Sequence, residues 1–120
     1  MRYILYILCI LCISSAIALT PQQEIKKFAN QYDNGYELSA AIDQYLNFPK
    51  NNKYGYTDKI ADVWRYKKYD CTGRAALKCH AMKQIKVKCQ VIHGLADGQM
   101  HDWVEWQEDK YSPWMTDEYE

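Results

Sequence analysis

The chain has 120 residues, enough for one domain, and carries 15 basic against 15 acidic side chains, a formal charge of zero at neutral pH. That balance excludes the electrostatic footprint by which nucleic acid or an anionic membrane is bound, and neither is expected as a partner. Eleven tyrosines and four tryptophans supply large apolar area for a modest core, and their polar tips suit a peptide- or sugar-facing rim.

The start, "MRYILYILCILCISSAIALT", has one arginine, an apolar run from Ile4 to Ile13, then small residues ending in Ala16-Ile17-Ala18. That order is a secretory signal cleaved after Ala18, so residues 1–18 read as leader and 19–120 as a single domain. The alternative, a retained anchor, has a segment from Tyr3 to Leu19 just short of what a bilayer core needs. Cys9 and Cys12 each follow leucine, which argues against a lipoprotein leader. The expected location is secreted or extracytoplasmic, with no stable membrane insertion after cleavage.

Thr20-Pro21-Gln22-Gln23 has the form of a capped helix start, and Ile25, Phe28, Ala29 and Tyr32 then make one apolar stripe until Asp33-Asn34-Gly35 stops it. A second helix follows, with Leu38, Ala41, Ile42, Tyr45 and Leu46 on one face, ended by a loop around Pro49 and the Asn51-Asn52 pair. Tyr54-Gly55-Tyr56 reads as a short extended segment, and Asp58 as the cap of a helical turn or two carrying Ile60, Val63 and Trp64. Residues 71–84 predict a largely buried helix, because Ala75, Leu77, Cys79 and Met82 leave few positions for a solvent face.

Beyond that helix the period changes to two at Val87, Cys89 and Val91, with a turn at Asp97-Gly98. Strands are expected at 101–106 and 111–117, separated by a turn over 107–110. Helices first and antiparallel strands after make an α+β domain.

Three cysteines remain after the leader: Cys71, Cys79 and Cys89. An odd count in a secreted chain marks one thiol as special. Cys71 opens the buried helix, where unpaired N–H groups and the positive end of the helix dipole favour a thiolate and can hold an oxyanion. The bland alternative is a small apolar residue beginning a helix. His101 and Trp103 share a strand face. If the last hairpin folds about Asp109, so that paired numbers sum to 218, His101 falls opposite Asp117, a carboxylate able to orient an imidazole. A turn centred half a residue earlier pairs His101 with Thr116 instead. A zinc site built from Cys71, Cys79, His80, Cys89, His93 and His101 lacks any C-x-x-C or H-x-x-x-H spacing, so no metal and no cofactor is expected.

In this order the motifs resemble the transglutaminase-like superfamily of papain-related cysteine enzymes. "YDCTGRA" (69–75) matches its nucleophile motif, "VKCQVIHG" (87–94) its next strand, "HDWVEW" (101–106) its histidine strand, and "SPWMTD" (112–117) its closing aspartate. The likeness covers residues 54–117. It implies a cysteine-bearing helix packed on an antiparallel sheet of about three to four strands, with Cys71 as nucleophile, His101 as general base and acid, and Asp117 as its orienting residue. It leaves Asn52, Tyr54 and Tyr56 as candidates for a second oxyanion donor. With Cys89 on the strand returning beside the cysteine helix, Cys79 and Cys89 are either bonded to each other or two buried free thiols, and Cys71 is free in both cases. Three positions depart from the family pattern: Tyr69 stands for glycine before the cysteine, Gln90 for an arginine, and Lys86 for the glycine ending the helix.

The function implied is hydrolysis of peptide or isopeptide amide bonds through a thioester acyl-enzyme. The expected partner is a peptide or protein substrate, cell-envelope peptide among the candidates. A cross-linking acyltransferase uses the same site with an amine as acceptor. A non-catalytic peptide- or glycan-binding module would leave Cys71 without a chemical role, and a disulfide-held structural protein would need Cys71 paired.

Overall fold

The computed structural model describes residues 18–50, 57 and 59–117. Residues 1–17 of the expected leader, together with Asn52, Tyr54, Tyr56 and Asp58, lie outside them. Among the described residues there are four helices and a three-stranded antiparallel sheet, and no helix is long and apolar enough to cross a membrane.

Helix α1 spans Pro21–Ala29 and starts as its sequence dictates. The Thr20 hydroxyl accepts from the Gln23 amide while the Gln23 side chain accepts from the Thr20 amide, and proline occupies the first turn, where no N–H is needed. Asp33-Asn34-Gly35 does not stop this helix. Asn30 ends it, and Asn34 begins the next one, its Oδ1 accepting from Glu37 N at 2.8 Å. Helix α2, Gly35–Leu46, ends at Asn47 in the left-handed region, with φ 55°. Its first two amides also bond to the Glu108 carboxylate, at 2.7 and 3.1 Å. An acid at a helix start satisfies orphan N–H groups and opposes the dipole.

Helix α3 is short, Ile60–Tyr66, and buries Val63 and Trp64. Tyr45 stacks on Trp64 with ring centroids 4.1 Å apart and donates its hydroxyl to the Trp64 carbonyl, which fixes α3 against α2. Helix α4, Cys71–Gln84, crosses the centre and has the bounds its composition predicted. Its apolar residues Ala75, Leu77, Ala81 and Met82 are buried with Ile25, Leu38, Ile42, Leu46 and Val104 in one core.

Lys86, at φ 62°, turns the chain out of α4 into strand β1, Lys88–Ala96. Glycine adopts that conformation more readily, and lysine meets it at some cost. Asp97 and Gly98, both at positive φ, make a two-residue hairpin turn into β2, Gln99–Gln107. Strand β3 is only Trp114–Thr116, shorter than expected, and the sheet order is β1-β2-β3.

Side-chain alternation divides the sheet into two faces. Cys89, Val91 and His93 on β1 share a face with Asp102, Val104 and Trp106 on β2, and α4 packs there. His101, Trp103 and Glu105 point to the other face, where the Trp103 ring lies so close over Gly94 that a Cβ at Gly94 would sit 2.6 Å from it.

Candidate active site

Cys71 is the first residue of α4 and the one free cysteine among the described residues, half-buried. Cys79 and Cys89 form a disulfide that ties the middle of α4 to the start of β1. Asp70 caps the helix, its Oδ1 accepting from Gly73 N at 2.7 Å, while the Arg74 amide bonds the Asp70 carbonyl at 3.0 Å. The amides of Cys71 and Thr72 carry no such bond among the described residues, and they are the donors a helix start offers to an anion.

The expected pairing of His101 with Asp117 does not occur. Strands β2 and β3 pair with residue numbers summing to 221 rather than 218, as in Glu105 with Thr116. Asp117 therefore comes level with Val104, and its Oδ1 accepts from Val104 N at 3.1 Å. An odd shift of register moves a residue to the opposite face, so Asp117 lies on the helix side of the sheet and His101 on the other.

Asp117 is engaged elsewhere. Its Oδ2 is 2.6 Å from Lys78 Nζ and 3.6 Å from an Arg74 guanidinium nitrogen. Lys78 also bonds Asp43 at 2.8 Å, and Arg74 grips Asp43 with two nitrogens at 2.7 and 2.8 Å. Lys78 is fully buried, and Arg74 is 4% exposed. Burial acts to raise the Asp43 pKa, but hydrogen bonds and charge from Arg74 and Lys78 outweigh it and hold the carboxyl below the usual carboxylate range. Four charges balance two against two, and the cluster joins α2, α4 and the chain after β3.

A different carboxylate serves the start of α4. Asp102 Oδ2 accepts from the Thr72 hydroxyl at 2.5 Å, and Asp102 Oδ1 lies 2.6 Å from His93 Nδ1 across the β1–β2 pair. Desolvation works to raise the Asp102 pKa. The Thr72 and His93 hydrogen bonds, with the charges of His93 and His101, outweigh it and keep Asp102 ionised below its ordinary range. A carboxylate on Nδ1 leaves Nε2 as the free nitrogen of an exposed imidazole, which is the tautomer arrangement a general base needs.

So Thr72, the residue after the cysteine, bridges α4 to an imidazole–carboxylate pair on the sheet. Sequence reasoning named none of Thr72, His93 and Asp102 for this pair. The signal was present, since centring the hairpin on Asp97-Gly98 sets position 93 opposite 102. No hydrogen bond joins Cys71 Sγ to His93 or to His101 among the described residues. No group of three or more metal-ligating side chains is found among the described residues either. Tyr69, two residues before the cysteine, is 1% exposed and packs near Phe48, so it belongs to the core. Comparison with protein-family models, with curated proteins and with solved structures finds no match.

Proposed function

We propose that this chain is a secreted transglutaminase-like cysteine hydrolase of peptide or isopeptide amide bonds, cell-envelope peptide among its substrates, with Cys71 as nucleophile. The observation that carries the reading is the junction at the start of α4. There a free thiol at the first helical position adjoins Thr72, whose hydroxyl holds the carboxylate of the His93–Asp102 pair. His93 takes the role the motifs gave to His101.

In the reaction, His93 Nε2 accepts the Cys71 thiol proton as sulfur attacks the amide carbonyl. The Cys71 and Thr72 amides stabilise the oxyanion. The C–N bond breaks as His93 returns the proton to the leaving amine, leaving a thioester. Water, deprotonated by His93, then releases the acid and the free thiol. An amine in place of water makes the same site a cross-linking transferase.

The absence of a hydrogen bond from Cys71 Sγ to an imidazole favours a second reading, a binding module without turnover. One experiment separates the two. Cys71 in the native protein is expected to react with iodoacetamide faster than N-acetylcysteine does, with the excess lost in His93→Gln and kept in His101→Gln. A Cys71 no faster than the free amino acid in all three proteins refutes the enzyme reading. Envelope-peptide digestion run beside Cys71→Ala, with product analysis in water and in added amine, then distinguishes hydrolysis from transfer.

A further inference from the structure

Both backbone groups of Val104 face the third strand: its carbonyl accepts from Asp117 N, and its amide donates to Asp117 Oδ1. Backbone groups alternate sides along a strand, so His101, Trp103, Glu105 and Gln107 turn theirs toward β1. Their partners Gly94, Ile92, Gln90 and Lys88 face back. That leaves Cys89, Val91, His93 and Leu95 with their N–H and C=O groups on the outer edge of the sheet, where no backbone bond meets them among the described residues.

This edge is long and poorly guarded. The nine residues of β1 pair with β2 in continuous register, without a bulge. The strand contains no proline, and its one lysine, Lys88, stands at the far end. Edge strands are usually blunted by such devices. On the helix-facing side, α4 begins level with His93 and Asp102. The hairpin tip beyond it presents Leu95 and Met100 as a directly opposed pair, 66% and 75% exposed.

We propose that the free edge of β1 takes an extended peptide segment as a fourth, antiparallel strand. Peptide residue n pairs with His93, and an apolar residue at n−2 pairs with Leu95. In that register side chain n falls on the helix-facing side, beside the His93 imidazole and the start of α4, and side chain n−2 covers Leu95 and Met100. A peptide is the occupant, rather than a second copy, because the open donors and the apolar ledge lie beside the His93–Asp102 pair and the start of α4, where the proposed function places a peptide substrate. The choice of occupant rests on that reading, but binding of this kind requires no turnover, so its failure and a failure of Cys71 to react are separate results.

The test uses Cys71→Ala protein, a soluble heptapeptide with threonine at alternate positions and leucine at n−2, and amide NMR. Addition of the peptide is expected to shift and protect from exchange the amides of Cys89, Val91, His93 and Leu95, and to leave those of Gln90, Ile92 and Gly94 nearly unchanged. Replacing the peptide leucine by aspartate weakens binding about tenfold. N-methylation of the residue at n abolishes it. No response at millimolar peptide overturns the proposal, as does equal binding of the N-methylated peptide. A dimer by sedimentation, with those four amides already protected, overturns it in favour of a second copy.

Discussion

Replacing Lys78 by methionine tests the buried charge cluster directly. The ammonium is fully buried and lies 2.8 and 2.6 Å from the carboxylates of Asp43 and Asp117. Breaking a buried pair by removing one partner costs about 3–5 kcal/mol, because the other charge stays buried without compensation. Here Arg74 still grips Asp43, while Asp117 keeps the Val104 amide and a distant guanidinium nitrogen at 3.6 Å. The loss is therefore set near the low end, about 3 kcal/mol, equivalent to a melting-point drop of roughly 12–24 °C in a domain of this size. Urea unfolding followed by circular dichroism measures it. Adding Asp117→Asn removes the stranded charge but keeps an acceptor for the Val104 amide, so the double variant is expected to recover much of the loss. A single variant within about 0.5 kcal/mol of the parent, or a double variant no better than the single, would refute the account of a coupled cluster.

Three further outcomes follow from the packing. Reduction of the Cys79–Cys89 bond, which spans a separation of 10 residues, should lower stability by about 2–3 kcal/mol in matched urea curves with and without reductant. Gly73→Ala sets a methyl against the Thr57 carbonyl and 3.0 Å from Val63 Cγ2, and is expected to cost about 1–3 kcal/mol by thermal melting. His80 has a buried Nε2 without a hydrogen-bond partner among the described residues, and its pKa is pushed below the ordinary 6.5, first by burial and then by the Lys83 charge. The folded form then binds that proton less readily than the unfolded chain. Stability is full above the unfolded value of 6.5 and falls as pH drops through the lowered folded value. Removing that slope in His80→Leu, read from urea midpoints across acid pH, is the expected result.

The parts of this fold that local chemistry specifies were legible in the sequence. The capping box at Thr20, the α4 bounds and the Asp97-Gly98 turn each depend on residues within a few positions of one another. Setting Cys89 on the strand beside α4 left a disulfide to Cys79 open against two free thiols, and the fold closes it. What local signals leave open is register across an irregular turn. Shifting the last hairpin by three residues exchanged His101 for Val104 as the neighbour of Asp117, and no composition rule fixes that turn. Lys78 was opaque for a related reason. A lysine on a helix reads as solvated, and the two carboxylates that permit its burial lie 35 and 39 residues away in sequence. Asn34 shows how one signal can serve two purposes, since a turn-forming asparagine fits the end of one helix and the cap of the next.

Three attachments of α4 to the sheet have a mechanical consequence. A covalent clamp holds Cys79 to Cys89, and at the other end a single hydroxyl-to-carboxylate bond holds Thr72 to Asp102. Beside the clamp, Lys78 is paired with Asp117, which the Val104 amide holds to the sheet. The covalent tie and the ion pair stand at adjacent residues, so the middle of α4 is its anchor, and the end that carries Cys71 is an overhang steadied by the Thr72–Asp102 bond.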